Sequence, residues 1–212
     1  MKGLLIKELL YLKQYFRVFI GLIVFFMLIA LFNHNLSAMA SMIVTLPLII
    51  SINSYSADAM NRWAEFSVCF PFTRKKLVQV KYIFMLLLTV LITGLVVVIG
   101  FICHCFMTFD VQEFIINLFV LFCTSLILLS ILAPLIYKYG IEKSRYFLMM
   151  IVMIPFLLII LFGSYLEQPD SVLTQLASIP PAFLILIPIL LSAGCFTLSC
   201  HLSAKIFDQK DL

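Results

Sequence analysis

The chain has 212 residues, 64% of them hydrophobic and only 11% charged, with fourteen Lys or Arg against ten Asp or Glu and a mean hydropathy of +1.19. Soluble globular chains carry about 25% charged residues, so a water-soluble domain is excluded and an all-α polytopic membrane protein is the class that remains. The net charge of +4 needs no nucleic-acid reading, because membrane topology accounts for it below.

In chain order, residues 1–17 place Leu5, Leu9, Leu12 and Phe16 on one helical stripe, with Lys7, Gln14 and Arg17 away from it. A helix lying in the plane of the membrane interface has this pattern, its bases turned toward anionic lipid and its apolar side immersed; a plain cytoplasmic extension of the first span is the alternative reading. From Val18 to Ala57 no Asp, Glu, Lys or Arg occurs. At about 1.5 Å per residue this run is roughly twice too long for one crossing. Asn33-His34-Asn35 divides it into expected spans near 18–32 and 36–55. The basic start and Ala38-Met39-Ala40 mimic a cleavable leader, but a long leader that includes Glu8 precedes the apolar run, so the first span is expected to be retained.

The stretch SADAMNRWAEFSVCFPFTRKKLVQVKY follows. On a helix Asp58, Arg62 and Glu65 share one face, and Ala59, Trp63, Phe66 and Phe70 another. Pro71 is expected to end that helix, and Thr73 to cap a second one running through Arg74, Lys75 and Lys76 into the third span. The remaining uncharged runs predict spans near 82–109, 114–137, 146–165 and 182–204. The loop at 167–181, between Pro169 and Pro180-Pro181, either dips back toward the bilayer or folds over its surface.

Six spans put both termini on one side, and the charges obey that scheme. Lys2, Lys7, Lys13 and Arg17 precede span one; Arg62, Arg74, Lys75, Lys76 and Lys81 separate spans two and three. Lys138, Lys143 and Arg145 separate spans four and five, and Lys205 and Lys210 follow span six. The other loops hold only Asp110, Glu113, Glu167 and Asp170. Every base therefore falls on one face, which the positive-inside rule makes cytoplasmic.

What the spans lack is equally informative. No Asp, Glu, Lys or Arg lies inside any of them, and His104 stands alone near the outer end of the third, which disfavours an ion-coupled mechanism. There is no H-E-x-x-H, no serine with a histidine and carboxylate placed to activate it, and no G-x-x-x-x-G-K-[ST] phosphate cradle. No catalytic residue, cofactor or metal ligand is assigned, and energy for uphill transport would have to come from another polypeptide. The six cysteines contain no C-x-x-C; Cys103-His104-Cys105 is the suggestive cluster, and it lacks spaced partners. Pro47, Pro134, Pro155 and Pro188 punctuate the spans as kinks, and Gly94 and Gly100 could admit a close helix.

With these residues in view, the chain resembles the permeases of the type-2 ABC exporter family over nearly its whole length. Such permeases carry an acidic-aromatic helix, a leucine-proline turn ending in Arg-Lys, and a Lys-Tyr opening the next span. Here these read Asp58, Trp63 and Glu65, then Phe70-Pro71-Phe72-Thr73-Arg74-Lys75-Lys76, then Lys81-Tyr82. Phe70 and Phe72 depart from the usual aliphatics, and the glycine often found before the tryptophan is missing. The resemblance implies a single transmembrane permease domain over 1–212, paired with a second permease copy as homo- or heterodimer and with ABC ATPase subunits, in a bacterial plasma membrane. It also implies a coupling helix at roughly Ala57 to Lys76. There Trp63 and Phe66 would pack on the ATPase, and Arg62, Glu65, Arg74 and Lys75 would make polar contacts, with Asp58, Pro71 and Lys76 completing the element. Small Gram-positive permeases similar to this one export amphipathic or antimicrobial peptides, or confer resistance to them. The competing reading is a stand-alone six-span channel, scaffold or immunity factor whose basic cluster touches only lipid head groups.

Overall fold

The computed structural model describes residues 2–33, 40–63, 66, 73–104, 111–151, 153 and 181–209, and the regular structure among them is helical. The principal helices are α1 (Lys2–Asn33), α2 (Met42–Met60), α3 (Arg74–His104), α4 (Val111–Tyr139), α5 (141–151) and α6 (Pro181–Asp208). Among the described residues, α2, α3, α4 and the Leu186–Asp208 part of α6 are long and apolar enough to cross a membrane, and α1 contributes the apolar stretch Ile20–Ile29. The expected fifth span lies largely outside the described residues, as does nearly all of the 167–181 loop.

α3 begins at Arg74, where the sequence places the start of a helix running into the third span, its ladder opened by the Thr73 carbonyl, which accepts from the amides of Lys76 at 2.9 Å and Leu77 at 3.4 Å. A charged residue ends an apolar run without breaking a hydrogen-bonded helix, because long basic side chains can lie along the helix while their heads find partners.

α1 shows no separate interface helix: it is one continuous helix from Lys2 to Asn33 that carries both the amphipathic segment and the apolar stretch Ile20–Ile29. Its packed face is mixed. Leu5 and Leu12 pack on the core, but Leu9 is exposed and Glu8 is buried. Lipid solvates leucine as well as a protein interior does, so in a membrane helix the polar face is the one that turns inward.

α4 and α6 form the most extensive helix pair; α2 packs on α3 and α4, α3 on α6, and α1 on α2 and α3. One apolar cluster joins Met42, Ile43 and Leu46 of α2 to Phe84, Leu88 and Ile92 of α3. A second joins Tyr55, Tyr82, Leu129, Leu132, Ile136 and Phe207, and lies toward the start of α3 and the ends of α2, α4 and α6. Gly100 allows the close approach of α3 and α4: a Cβ there would lie 2.6 Å from ring carbons of Phe114. Among the described residues nothing lies within 4 Å of a Cβ placed at Gly94. Gly140, at φ +82, turns the chain from α4 into α5, its amide bonded to the Ile136 carbonyl at 3.0 Å.

The start of α1, the end of α2, the start of α3, the end of α4 and the end of α6 converge around one cavity. This end of the bundle, rich in Lys and Arg, is called the basic end below.

Candidate functional site

The centre of the basic end is Lys81, one turn and more inside α3. Its ammonium lies 2.8 Å from Glu8 Oε1 of α1 and 2.7 Å from Asp58 Oδ2 of α2, and donates to Ser54 Oγ at 2.6 Å. The Ser54 hydroxyl in turn donates to Glu8 Oε2 at 2.6 Å. The Lys81 side chain is only 9% exposed and that of Glu8 4%. Lys7 completes the cluster: it pairs with Asp58, approaches Glu8 Oε1 at 3.4 Å, and stands 4.2 Å over the Trp63 ring. Two acids and two lysines leave the group neutral. That balance is what makes the burial tolerable, since an uncompensated buried charge costs several kcal/mol.

Tyr82 follows Lys81 by about 100° around the helix and so faces different neighbours. Its hydroxyl lies 2.6 Å from Ser199 Oγ and 2.7 Å from Ser203 Oγ of α6, and its ring packs 5.1 Å from that of Phe196. The Ser199 hydroxyl is also within bonding distance of the Ser130 carbonyl of α4. The dipeptide Lys81-Tyr82 thus ties α3 to α1 and α2 on one side and to α4 and α6 on the other. Above it Arg74 donates from Nη1 to the carbonyls of Phe207, at 3.4 Å, and Asp208, at 3.2 Å. A guanidinium on the last carbonyls of α6 satisfies groups the helix leaves open and complements its dipole.

The single amphipathic helix expected from Asp58 onward is broken. The amides of Asn61 and Arg62 bond to the carbonyls of Ala57 and Ala59 at 3.0 and 3.1 Å, and Arg62 adopts φ 48. This left-handed residue closes α2 as a glycine ordinarily would, and without the freedom of glycine it costs about 1–2 kcal/mol. The position is the one just before the tryptophan. Asp58 therefore belongs to α2 and turns into the ion cluster, while Arg62 is exposed in the turn. Beyond it the Phe66 amide bonds to the Arg62 carbonyl at 3.2 Å, and the Trp63 and Phe66 rings lie 5.7 Å apart.

The structure therefore divides the predicted coupling residues. Asp58 and Arg74 hold helices together, and Trp63 is half-buried beneath Lys7. Arg62, Phe66, Lys75 and Lys76 are exposed, with Lys75 3.9 Å from Asp208. Glu65 and Pro71 lie outside the described residues. Sequence reasoning passed over Lys7, Glu8, Ser54 and Lys81 as a group. Two signals pointed to them: Glu8 is the only acid among the first seventeen residues, and Lys81 opens the Lys-Tyr pair. Among the described residues no three His, Cys, Asp or Glu side chains converge on a metal position.

A cavity of about 210 Å³ opens beside the cluster, with Lys7, Asp58, Trp63, Tyr137, Ile141 and Phe207 in its walls. Comparison with protein families matches residues 3–208 to the family described as ABC-2 family transporter protein. No curated protein and no solved structure shows a significant match.

Proposed function

The chain belongs to the ABC-2 family of transporter permeases and is a multi-pass membrane component of an ABC transporter; from that premise we propose that it is the permease subunit of an ATP-driven exporter, driven by a separate ATPase through the segment 61–76. The observation that carries this reading is the division of labour in that segment. Its inward-facing residues are bonded to the bundle, while Arg62, Phe66, Lys75 and Lys76 present an exposed aromatic and basic surface.

A displacement of this surface has short, polar routes into the helices. It reaches α2 through the turn at Arg62, and α1 and α3 through Asp58, Lys7 and Lys81. It reaches α6 through Arg74 on the carbonyls of Phe207 and Asp208. Buried ion pairs transmit such motion well, because separating them is costly and they move as a unit. With the basic face cytoplasmic, the segment stands where ATP is available, and a second permease copy completes the membrane assembly. The cargo on this reading is an amphipathic or antimicrobial peptide, or another hydrophobic molecule.

The test is co-purification. Tagged full-length chain extracted in mild detergent is expected to bring down an ATP-binding polypeptide. The combination Phe66→Ala, Lys75→Glu and Lys76→Glu is expected to lose it while membrane insertion and yield stay the same. Equal recovery of the ATPase would overturn the coupling reading. Trp63 is left intact because its ring holds Lys7 in the cluster.

A further inference from the structure

We propose that the cavity at the basic end is a binding site for the primary ammonium head of an amphiphile, and that Lys7 is its tethered occupant. The charge balance comes first. Glu8, Asp58 and Lys81 together carry −1, and Lys81 already satisfies itself on both acids and Ser54. Lys7 supplies the missing positive charge from a much less buried position, its side chain being 32% exposed. A long flexible stem lets such a head leave without moving the backbone.

The donors come next. An ammonium has three N–H groups. Around Lys7 Nζ stand the Asp58 carboxylate, Glu8 Oε1 at 3.4 Å and the face of Trp63 at 4.2 Å. Two carboxylates and one aromatic face match a primary ammonium; a quaternary one has no proton to offer the carboxylates. The cavity then gives such a head somewhere to trail its chain. Its walls include the apolar Leu4, Leu77, Val80, Ile136, Ile141 and Phe207. Its volume of about 210 Å³ equals that of about seven waters, enough for a head group and the first methylenes of a chain.

Tyr55 also lines this cavity, 6% exposed, with its ring 5.7 Å from that of Tyr137 and edge-on to it. The matching chemistry is shared by an aminophospholipid head and by the lysine or terminal amine of an amphipathic peptide. This inference goes beyond the transport reading and does not rest on it, because the permease chain alone is what binds.

Trp63 is the chain's single tryptophan, so its emission reports on this site directly. Full-length chain in dodecyl maltoside is titrated with dodecylammonium, with dodecanol and dodecyltrimethylammonium as controls. Lys7→Met is expected to give a saturable shift in emission, with half-saturation about tenfold lower than in the unaltered chain, as a site filled about 90% of the time by its own side chain demands. The controls are expected to give no saturable shift, and Lys7→Met with Asp58→Asn to lose the response. The unaltered chain, which needs no variant to fold, is expected to show the same shift at the higher concentration. Competition by phosphatidylethanolamine assigns the site to a lipid head, and competition by a lysine-bearing amphipathic peptide assigns it to cargo. If neither the unaltered chain nor folded Lys7→Met responds saturably, or if dodecanol acts equally, the proposal is wrong.

Discussion

Lys81→Met is the perturbation that bears most directly on how the basic end is held together. The substitution keeps an unbranched stem of similar reach and deletes the deeper of the two cations. It leaves Glu8 and Asp58, with side chains 4% and 17% exposed, to share Lys7 alone. Two ion pairs of 2.8 and 2.7 Å and the bond to Ser54 are lost together. Removing one partner of a buried ion pair costs about 3–5 kcal/mol, and these three contacts share one ammonium, so their losses do not add beyond that range. The unfolding equilibrium should move by a factor of about 10² to 10³ or more, at 1.4 kcal/mol per tenfold. Lys76→Met, on an exposed site in the same helix, should stay within about 0.5 kcal/mol of the unaltered chain. Lys81→Met combined with Asp58→Asn restores neutrality to Glu8 and Lys7, and should recover about 0.5–3 kcal/mol relative to the sum of the single changes. The assay is reversible unfolding in mixed dodecyl maltoside and dodecyl sulfate micelles, followed by far-ultraviolet circular dichroism. If Lys81→Met costs no more than Lys76→Met, or the double variant is strictly additive, the cluster is not what fastens α1, α2 and α3.

The same unfolding measurement checks three further expectations. Arg62→Gly should stabilise the chain by about 1 kcal/mol, because φ 48 is free to glycine, whereas Arg62→Ala should bring no such gain. Gly100→Ala should cost about 1–3 kcal/mol through the 2.6 Å contact with Phe114, and Phe114→Leu should relieve it; Gly94→Ala, with open space around it, should be neutral or gain up to about 1 kcal/mol in helix propensity. Tyr82→Phe should lose about 0.6–1.7 kcal/mol, the range of hydrogen bonds between membrane helices, by removing the hydroxyl that meets Ser199 and Ser203.

Much of the architecture was legible in the sequence because the bilayer imposes one strong rule. Uncharged runs of span length must be helices, and the described ones from α2 to α4, with α6, stand where those runs are. The pairing of side chains was not legible in the same way. Asp58 and Lys81 lie inside helices at the ends of apolar runs, and each finds an opposite charge across the bundle. Such pairing joins residues far apart in the chain, and periodicity within one segment carries no trace of it. The partner of Glu8 was hidden for the same reason: the stripe of α1 shows Leu9 on an exposed face, and nothing in the segment shows that the bundle takes Glu8. The break at Arg62 was hidden because the residue that closes α2 is not the glycine that would have announced it. The motif residues Asp58, Trp63, Lys81 and Tyr82 stood out in the sequence, and the structure adds their contacts: Asp58 with Lys81, Trp63 beneath Lys7, and Tyr82 with Ser199 and Ser203.

The central claim is that the exposed surface beyond α2 meets an ATPase. A photo-crosslinking amino acid placed at Phe66, which is 55% exposed, tests it in intact cells against the same group at Leu95, exposed on the apolar length of α3. The expected result is a crosslink from position 66 to a separate ATP-binding polypeptide, with none from position 95. Crosslinks from both positions to lipid alone would contradict the claim.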